Sequence, residues 1–269
     1  MTTVFYKPGL FAACDSKWSI DGFEINDIRE NKYILHTSPN TGEMLVTLQA
    51  GSHVAIVLNQ ALLSQLISPQ QFFNLFRIYE EHFELDYDSI TFLLSNGVLK
   101  SKAHAYYPDL KANGIYSFGS GGSYAGSFYY HASIYSRKKR NKVPPRSFAH
   151  SCGIVCAMNY AYSQDGFSGG KVHKLEWVQN QSVHGTMLPI NENYFTKLEL
   201  TLVDTLREIH DMYIEKAQNQ VVASLADRKR ALQEKQSRAR VNAKTQPNSQ
   251  ATKMTVSTVI DHLKWFESL

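Results

Sequence analysis

The order of strand-like and helix-like segments along the chain constrains its fold more than any single motif does. Residues 2–14 alternate and are rich in β-forming side chains on both sides of Lys7-Pro8-Gly9, which predicts a hairpin. A second hairpin is predicted over 32–50, where strand-like segments flank a turn-rich stretch. Apolar residues at helical spacing and a proline at the start of the second segment then predict helices over 53–67 and 69–83.

The same succession returns in the second half of the chain. The dipeptide Asn96-Gly97, the strongest short hairpin signal in the sequence, separates predicted strands at 90–94 and 98–107. Strands, two helices, strands, two helices and strands is an order typical of two sheets packed face to face with helix pairs outside, in the α+β class. The remaining predicted elements are a strand at 115–118, helices at 124–136 and 147–163, and closing strands at 172–178 and 182–188.

The character of the sequence changes after about Asn193. Residues 196–240 carry a long helical pattern, and within it 227–244 holds seven basic residues against two acidic ones. This basic segment could pack between subunits, dock a partner or contact nucleic acid, or it could be a solvated helix face. The chain ends in a short amphipathic segment, 256–269, which favours a docking helix over a membrane anchor. We therefore divide the chain into a domain at 2–193, a helical basic extension at 194–244, and a linker with a terminal amphipathic helix at 245–269.

Composition excludes several classes of protein. Apolar residues make up 43% of the 269-residue chain and charged residues 19%, which is ordinary for a soluble globular protein. The net charge of +4 is too weak to imply a nucleic-acid partner. Three cysteines without a CxxC pair fit a reducing cytoplasm, and we find neither an apolar run of membrane-spanning length nor a secretory signal.

The amino terminus carries an arrangement that could support catalysis. Thr2 is small enough that removal of Met1 is expected, and this would leave the α-amine of Thr2 beside its own hydroxyl. An α-amine titrates near pH ~8, so it can be partly neutral in the cell and accept the hydroxyl proton. One residue then supplies both the nucleophile and the base. The plainer alternative is that Thr2-Thr3 is only the polar start of a strand.

Three segments together resemble one family of proteins. They are TTVFYKPGLFAACDSKWS at the start, FGSGGSYAGSFYYH in the middle, and AMNYAYSQDGFSGGKVHKLEWV towards the end. In this order and spacing they resemble proteasome β-subunits and the related bacterial heat-shock peptidase, most closely the short bacterial type without a propeptide. Over residues 2–188 the resemblance implies a four-layer αββα sandwich of the N-terminal nucleophile hydrolase type, here followed by a C-terminal helical extension.

The resemblance also implies roles for particular residues. Thr2 corresponds to the nucleophile, and Asp15 and Lys32 correspond to an ion pair beside its hydroxyl. An ammonium there lowers the pKa of the hydroxyl and of the α-amine, while the aspartate orients the lysine. No cofactor is implied, and no His/Cys cluster has metal-ligand spacing. The other matching positions are Ser120, Asp165 and Ser168 around the terminal amine, Gly51 as the oxyanion donor, and Ser19 as a substrate-binding residue.

Proteins of this family assemble into closed chambers. The resemblance therefore implies a homo-oligomeric double ring of six- or seven-membered rings in the cytoplasm, with unfolded proteins as substrates and an ATP-driven unfoldase as the usual partner. The implied activity is that of a threonine endopeptidase.

The first hairpin is shorter than in typical β-subunits. If the shortening lies in the turn, the strands stay in register; if it lies in a strand, Thr2 could miss the site. A catalytically inactive ring or scaffold, and an amidase acting on a small amide, remain as alternatives.

Overall fold

The chain begins with a tight hairpin. In the computed structural model, β1 (Val4–Lys7) pairs antiparallel with β2 (Phe11–Cys14), as predicted. The ladder runs without a bulge from Val4 opposite Cys14 to Lys7 opposite Phe11. Gly9 takes φ 72° there, which glycine adopts without strain.

The structure describes residues 2–20, 23–24, 31–81, 87–103, 114–139, 151–178, 183–187 and 194–215.

Two larger sheets and a short hairpin account for the described strands. The later strands are β3 (Ser19–Ile20), β4 (Phe23–Glu24), β5 (Tyr33–Thr37), β6 (Met44–Gly51), β7 (Tyr87–Leu93), β8 (Leu99–Ala103), β9 (Tyr116–Phe118), β10 (His173–Glu176) and β11 (His184–Gly185). One sheet has the order β11-β10-β2-β1-β9 and the other the order β5-β6-β7-β8, while β3 pairs only with β4. Residues 182 and 188 of the strand predicted over 182–188 lie outside the described residues, and within 183–187 the strand covers His184–Gly185. Beyond it the Thr186 N–H bonds to the Lys174 carbonyl, but the Lys174 N–H donates to Thr186 Oγ1 and the ladder ends there.

The helices follow their sequence signals closely. Four of them are α1 (His53–Leu63), α2 (Pro69–Glu80), α3 (Gly122–Lys139) and α4 (Ser151–Gln164), and the described residues 194–215 form a fifth, α5. Helix α2 begins in a capping box between Ser68 and Gln71, with Pro69 at its first position. Helix α1 ends before the predicted residue 67 because Gln65 takes φ 61° and Leu66 N–H bonds back to the Ala61 carbonyl.

Three apolar clusters define the layers of the fold. Side chains from the facing surfaces of the two sheets, among them Tyr6, Val46 and Phe92, form the central cluster. Helices α3 and α4 pack on the outer face of the five-stranded sheet through residues such as Phe5 and Ile154. Helices α1, α2 and α5 pack on the outer face of the four-stranded sheet. The order is therefore helices, sheet, sheet, helices, in a mixed α/β architecture.

The helix after residue 193 belongs to the same compact unit as the sheets. This unit covers Met1–Lys216, and Leu198, Leu202 and Ile209 of α5 are buried against α1 and α2. The basic segment and the amphipathic end lie beyond residue 215, outside the described residues, and the predicted division at 193 and 244 stays a prediction. Among the described helices, none combines the length and the apolar character needed to cross a membrane.

We expect Gly97→Ala to destabilise the fold. Gly97 has φ 69°, and a Cβ atom there would lie 2.5 Å from two carbons of the buried Trp177 ring. Left-handed backbone and overpacking together should cost about 2–4 kcal/mol in the free energy of unfolding, measured by urea titration. Gly42→Ala is the matched control, because Gly42 has φ 68° and nothing within 4 Å of the added atom. It should cost only about 1–2 kcal/mol. Equal losses in the two variants would contradict the role of Trp177.

Candidate active site

A buried ion pair joins the two sheets at one end. Asp15 follows β2 of the five-stranded sheet and Lys32 precedes β5 of the four-stranded sheet, and both are 0% exposed. Lys32 Nζ lies 3.2 Å from Asp15 Oδ1. The lysine backbone is fixed as well, since its carbonyl accepts a hydrogen bond of 2.9 Å from the N–H of Gln49 in β6. The pair therefore holds β2 and β5 together across the central layer.

The polar atoms of the ion pair are extensively bonded. Asp15 Oδ1 also accepts from the N–H of Thr3 at 3.2 Å, and Oδ2 accepts from the N–H of Gly169 at 3.1 Å. Lys32 Nζ donates to the Lys17 carbonyl and lies 5.0 Å from the centre of the Trp18 ring, a cation–π distance. These contacts offset much of the cost of removing two charges from water.

Burial shifts the pKa values of Asp15 and Lys32 away from their usual ranges. It raises the pKa of the Asp15 carboxyl, against the opposing charge of Lys32 and the hydrogen bonds from Gly169 and Thr3. It lowers the pKa of the Lys32 ammonium, against the charge of Asp15 and its hydrogen bond. In each group the charge of the partner opposes the effect of burial and favours the ionised form.

A second polar cluster lies where α3 begins and α4 ends. Ser120 Oγ and Ser168 Oγ both donate to Asp165 Oδ2, at 2.6 and 2.5 Å. Asp165 is held by two further hydrogen bonds. Its backbone N–H donates to the Ala161 carbonyl in α4, and its side-chain Oδ1 accepts from the N–H of Phe167. The turn-rich segments 119–123 and 165–170 thus come together, although more than forty residues separate them in the chain.

Thr3 connects the two clusters. Its N–H donates to Asp15, and its Oγ1 donates to Ser168 Oγ at 2.6 Å. Its carbonyl also accepts from the N–H of Asp15 at 3.1 Å, which continues the β1–β2 pairing by one residue. The sequence prediction missed this residue, and its only signal was its position beside Thr2. Thr3 places the start of the chain between the ion pair and the Ser120–Asp165–Ser168 cluster.

Thr2 lies next to the turn that carries Ser120. A Cβ atom on Gly119 would overlap the Thr2 carbonyl oxygen and would lie 3.6 Å from the Cβ of Ala50, the residue before Gly51. Thr2 is 0% exposed, and its Oγ1 makes no hydrogen bond within the described part of the chain. A buried hydroxyl without a partner costs about 1–3 kcal/mol and calls for a functional explanation.

The last two predicted residues are placed by their backbones. Gly51 ends β6 with φ 112°, directly before α1, whose N-terminal N–H groups favour negative charge. Ser19 lies in β3 opposite Glu24, and the structure describes nothing of its side chain. Among the described residues there is no group of three His, Cys, Asp or Glu side chains that could hold a metal ion.

We expect Gly119→Ala to displace Thr2. Gly119 has φ 76°, and its new Cβ would meet the Thr2 backbone, which cannot move aside as a flexible side chain could. The loss should be about 2–4 kcal/mol in the free energy of unfolding. Gly166→Ala is the control in the neighbouring turn, since an added Cβ meets nothing within 4 Å there. A Gly119→Ala variant as stable as Gly166→Ala would refute the close approach of Thr2 to this turn.

The ion pair should show strong energetic coupling. Lys32→Met leaves the buried Asp15 carboxylate unpaired and should cost about 3–5 kcal/mol, and Asp15→Asn should also be strongly destabilising. The double variant Asp15→Asn/Lys32→Met should lose clearly less than the sum of the two single losses, because it leaves no unpaired charge. Denaturant titration of the four proteins measures this difference. Simple additivity would show that the two charges do not interact.

Two solved structures are similar to this chain at low sequence identity. Eukaryotic HslV from Trypanosoma brucei aligns over 65% of this chain and 99% of that chain, at 19% identity and a TM-score of 0.35. An Anbu (Gly-1) mutant from Hyphomicrobium sp. strain MC1 aligns over 80% of this chain and 100% of that chain, at 13% identity and a TM-score of 0.41. No family model and no curated protein matches the sequence.

Proposed function

We propose that the chain is a threonine peptidase of the N-terminal nucleophile hydrolase type, with Thr2 as its nucleophile. The observation that carries the proposal is the position of the first residues. Thr2 is buried with an unbonded hydroxyl, and Thr3 beside it is hydrogen-bonded to both Asp15 and Ser168. The layered architecture, with two sheets between helix layers, and the three resembling segments support the same proposal.

The proposed reaction needs the α-amine of Thr2 to be free, so the Met1–Thr2 bond must first be cleaved. The neutral amine then takes the proton of Thr2 Oγ1, and the oxygen attacks the carbonyl carbon of the scissile peptide bond. Lys32, as an ammonium held by Asp15, stabilises the developing negative charge on the hydroxyl oxygen. Ser120, Asp165 and Ser168 hold the terminal amine in position through their hydrogen-bond cluster.

The remaining steps follow from the same groups. The oxyanion of the tetrahedral intermediate accepts a hydrogen bond from the N–H of Gly51, next to the positive end of the α1 dipole. The C–N bond breaks, and the protonated α-amine gives its proton to the leaving amine. Water then attacks the ester on Thr2, again with the α-amine as base, and releases the acid product. Ser19 contributes to binding the extended substrate.

We extend the proposal to the assembly and its substrates. The chain forms a homo-oligomeric double ring with six or seven subunits in each ring, works in the cytoplasm on unfolded proteins, and accepts them from an ATP-driven unfoldase. Large apolar side chains exposed on the outer helices, such as Phe73 of α2 and Leu200 of α5, support association. Native mass spectrometry of the purified protein measures the subunit number directly, and a monomer would contradict the ring.

The nucleophile can be identified directly. We expect the mature protein to lack Met1, and a β-lactone inhibitor to form an ester with Thr2 that peptide mapping locates. Thr2→Ala should abolish cleavage of unfolded protein, whereas Thr2→Ser should retain part of it, because serine keeps both the hydroxyl and the amine. Retention of Met1 together with an inert hydroxyl would falsify the peptidase and favour the inactive ring or scaffold.

Thr3 provides the matched control for this experiment. Thr3→Val has nearly the same shape and removes only the hydroxyl that donates to Ser168. It should reduce the turnover number without preventing the β-lactone from reacting at Thr2. An adduct on Thr3 instead of Thr2 would show that Thr2 is not the nucleophile.

A further inference from the structure

A buried polar network behind the four-stranded sheet is not used by the proposed chemistry. Its centre is Gln60 of α1, a residue with 0% exposure. Gln60 Nε2 donates to the Asn31 carbonyl and to Gln49 Oε1, both at 2.7 Å. Its Oε1 accepts from the hydroxyl of Tyr194 in α5, also at 2.7 Å. One side chain thereby joins a helix, a strand, the segment before β5 and the helix that follows residue 193.

The network ends beside Lys32. Asn31 precedes Lys32 in the chain, and its carbonyl is held by the Gln60 side chain. The Lys32 carbonyl is held by the backbone N–H of Gln49, whose side chain is bonded to Gln60 in turn. Two consecutive carbonyls are thus held, the first by a side chain of α1 and the second by the backbone of β6. Lys32 Nζ extends to Asp15 at the end of the other sheet.

A buried amide of this kind is unusual in an apolar layer. Gln60 lies within the cluster formed by α1, α2 and α5, where Val57, Leu58 and Ala61 around it are completely buried. Placing an amide there is costly unless each of its groups is bonded, and a leucine or methionine would fill the space without that cost. The hydrogen bonds of Gln60 therefore indicate that the backbone at Asn31 and Lys32 must be held in a defined position.

We infer that Gln60 and Tyr194 are positioning residues for Lys32, and that they couple α5 to the ion pair of the candidate active site. Through Gln60, the location of Tyr194 sets the location of the Asn31 carbonyl and hence of the Lys32 backbone. The kinetic part of this inference rests on the proposed function, whereas its structural part does not. Displacement of a catalytic group by about 1 Å can cost a factor of about 100 in rate, so small movements of Lys32 matter.

The test uses two variants and one control in the full-length protein. Gln60→Met removes the amide and keeps the approximate length of the side chain, and Tyr194→Phe is a milder change that removes one hydroxyl. Thr91→Val is the matched control, because it removes a buried hydrogen bond of 2.8 Å to Thr47 from the same face of the sheet, at the ladder position two residues from that of Gln49.

Hydrogen exchange measured by mass spectrometry reports on position without any need for activity. Gln60→Met should accelerate exchange in peptides that contain the Gln49 N–H, bonded to Lys32, and the Thr3 N–H, bonded to Asp15. Tyr194→Phe should do so to a smaller extent, and Thr91→Val should leave the Thr3 peptide unchanged. Unchanged exchange in both Gln60→Met and Tyr194→Phe would overturn the inference, as would equal acceleration by Thr91→Val.

Peptide hydrolysis supplies the second measurement. Gln60→Met should lower kcat by about tenfold with KM nearly unchanged, since Lys32 acts on the hydroxyl and not on substrate binding. Normal kcat in Gln60→Met, despite faster exchange, would overturn the positioning role. A wild-type protein that hydrolyses no peptide would refute the proposed function alone, and the exchange measurements would then decide the structural coupling by themselves.

Discussion

The buried ion pair between Asp15 and Lys32 is the interaction on which the arrangement of the site depends. Two charges with 0% exposure are tolerated because their polar atoms are bonded: the carboxylate to two backbone N–H groups and the ammonium, and the ammonium also to a carbonyl. The two charges and these partners come from the start of the chain, the segment after β2, the segment before β5 and the turn after α4. With Thr3 at the start of the chain, the pair therefore brings four distant parts of the chain to one point.

The start of the chain is built around this point. Thr3 uses its backbone for Asp15 and its hydroxyl for Ser168, so its position is determined from two sides. Thr2 therefore lies against the turn at Gly119, where the absence of a glycine side chain leaves room for the Thr2 carbonyl. Its hydroxyl is left buried and unbonded within the described residues. Tyr6 and Tyr162 also carry buried hydroxyls without a hydrogen bond among the described residues, so what distinguishes Thr2 is its place between the two polar clusters.

Local signals predicted most of the elements, and they failed where an element ends for a tertiary reason. Pro69 at a helix start and Asn96-Gly97 in a hairpin act through their own backbone preferences, and the structure has a helix and a turn at these positions. The last strand is different. Its pattern favoured 182–188, whereas within the described residues 183–187 the ladder to β10 covers His184–Gly185. The next N–H, that of Thr186, still bonds to the Lys174 carbonyl, but the Lys174 N–H bonds to the Thr186 side chain. No periodicity in the sequence encodes that competition.

Local patterns in the sequence predicted the order of the elements, and the resemblance of three segments to a known family implied Thr2, Asp15, Lys32, Ser120, Asp165 and Ser168 as candidates. Only the tertiary structure decided that Thr3 is the bridge between two polar clusters, that Trp18 lies against the Lys32 ammonium, and that Gln60 links Tyr194 to Asn31. Local propensity acts over a few residues, whereas Thr3 and Ser168 are 165 positions apart and meet because β10, which follows Ser168, joins the sheet of β1 on the far side of β2.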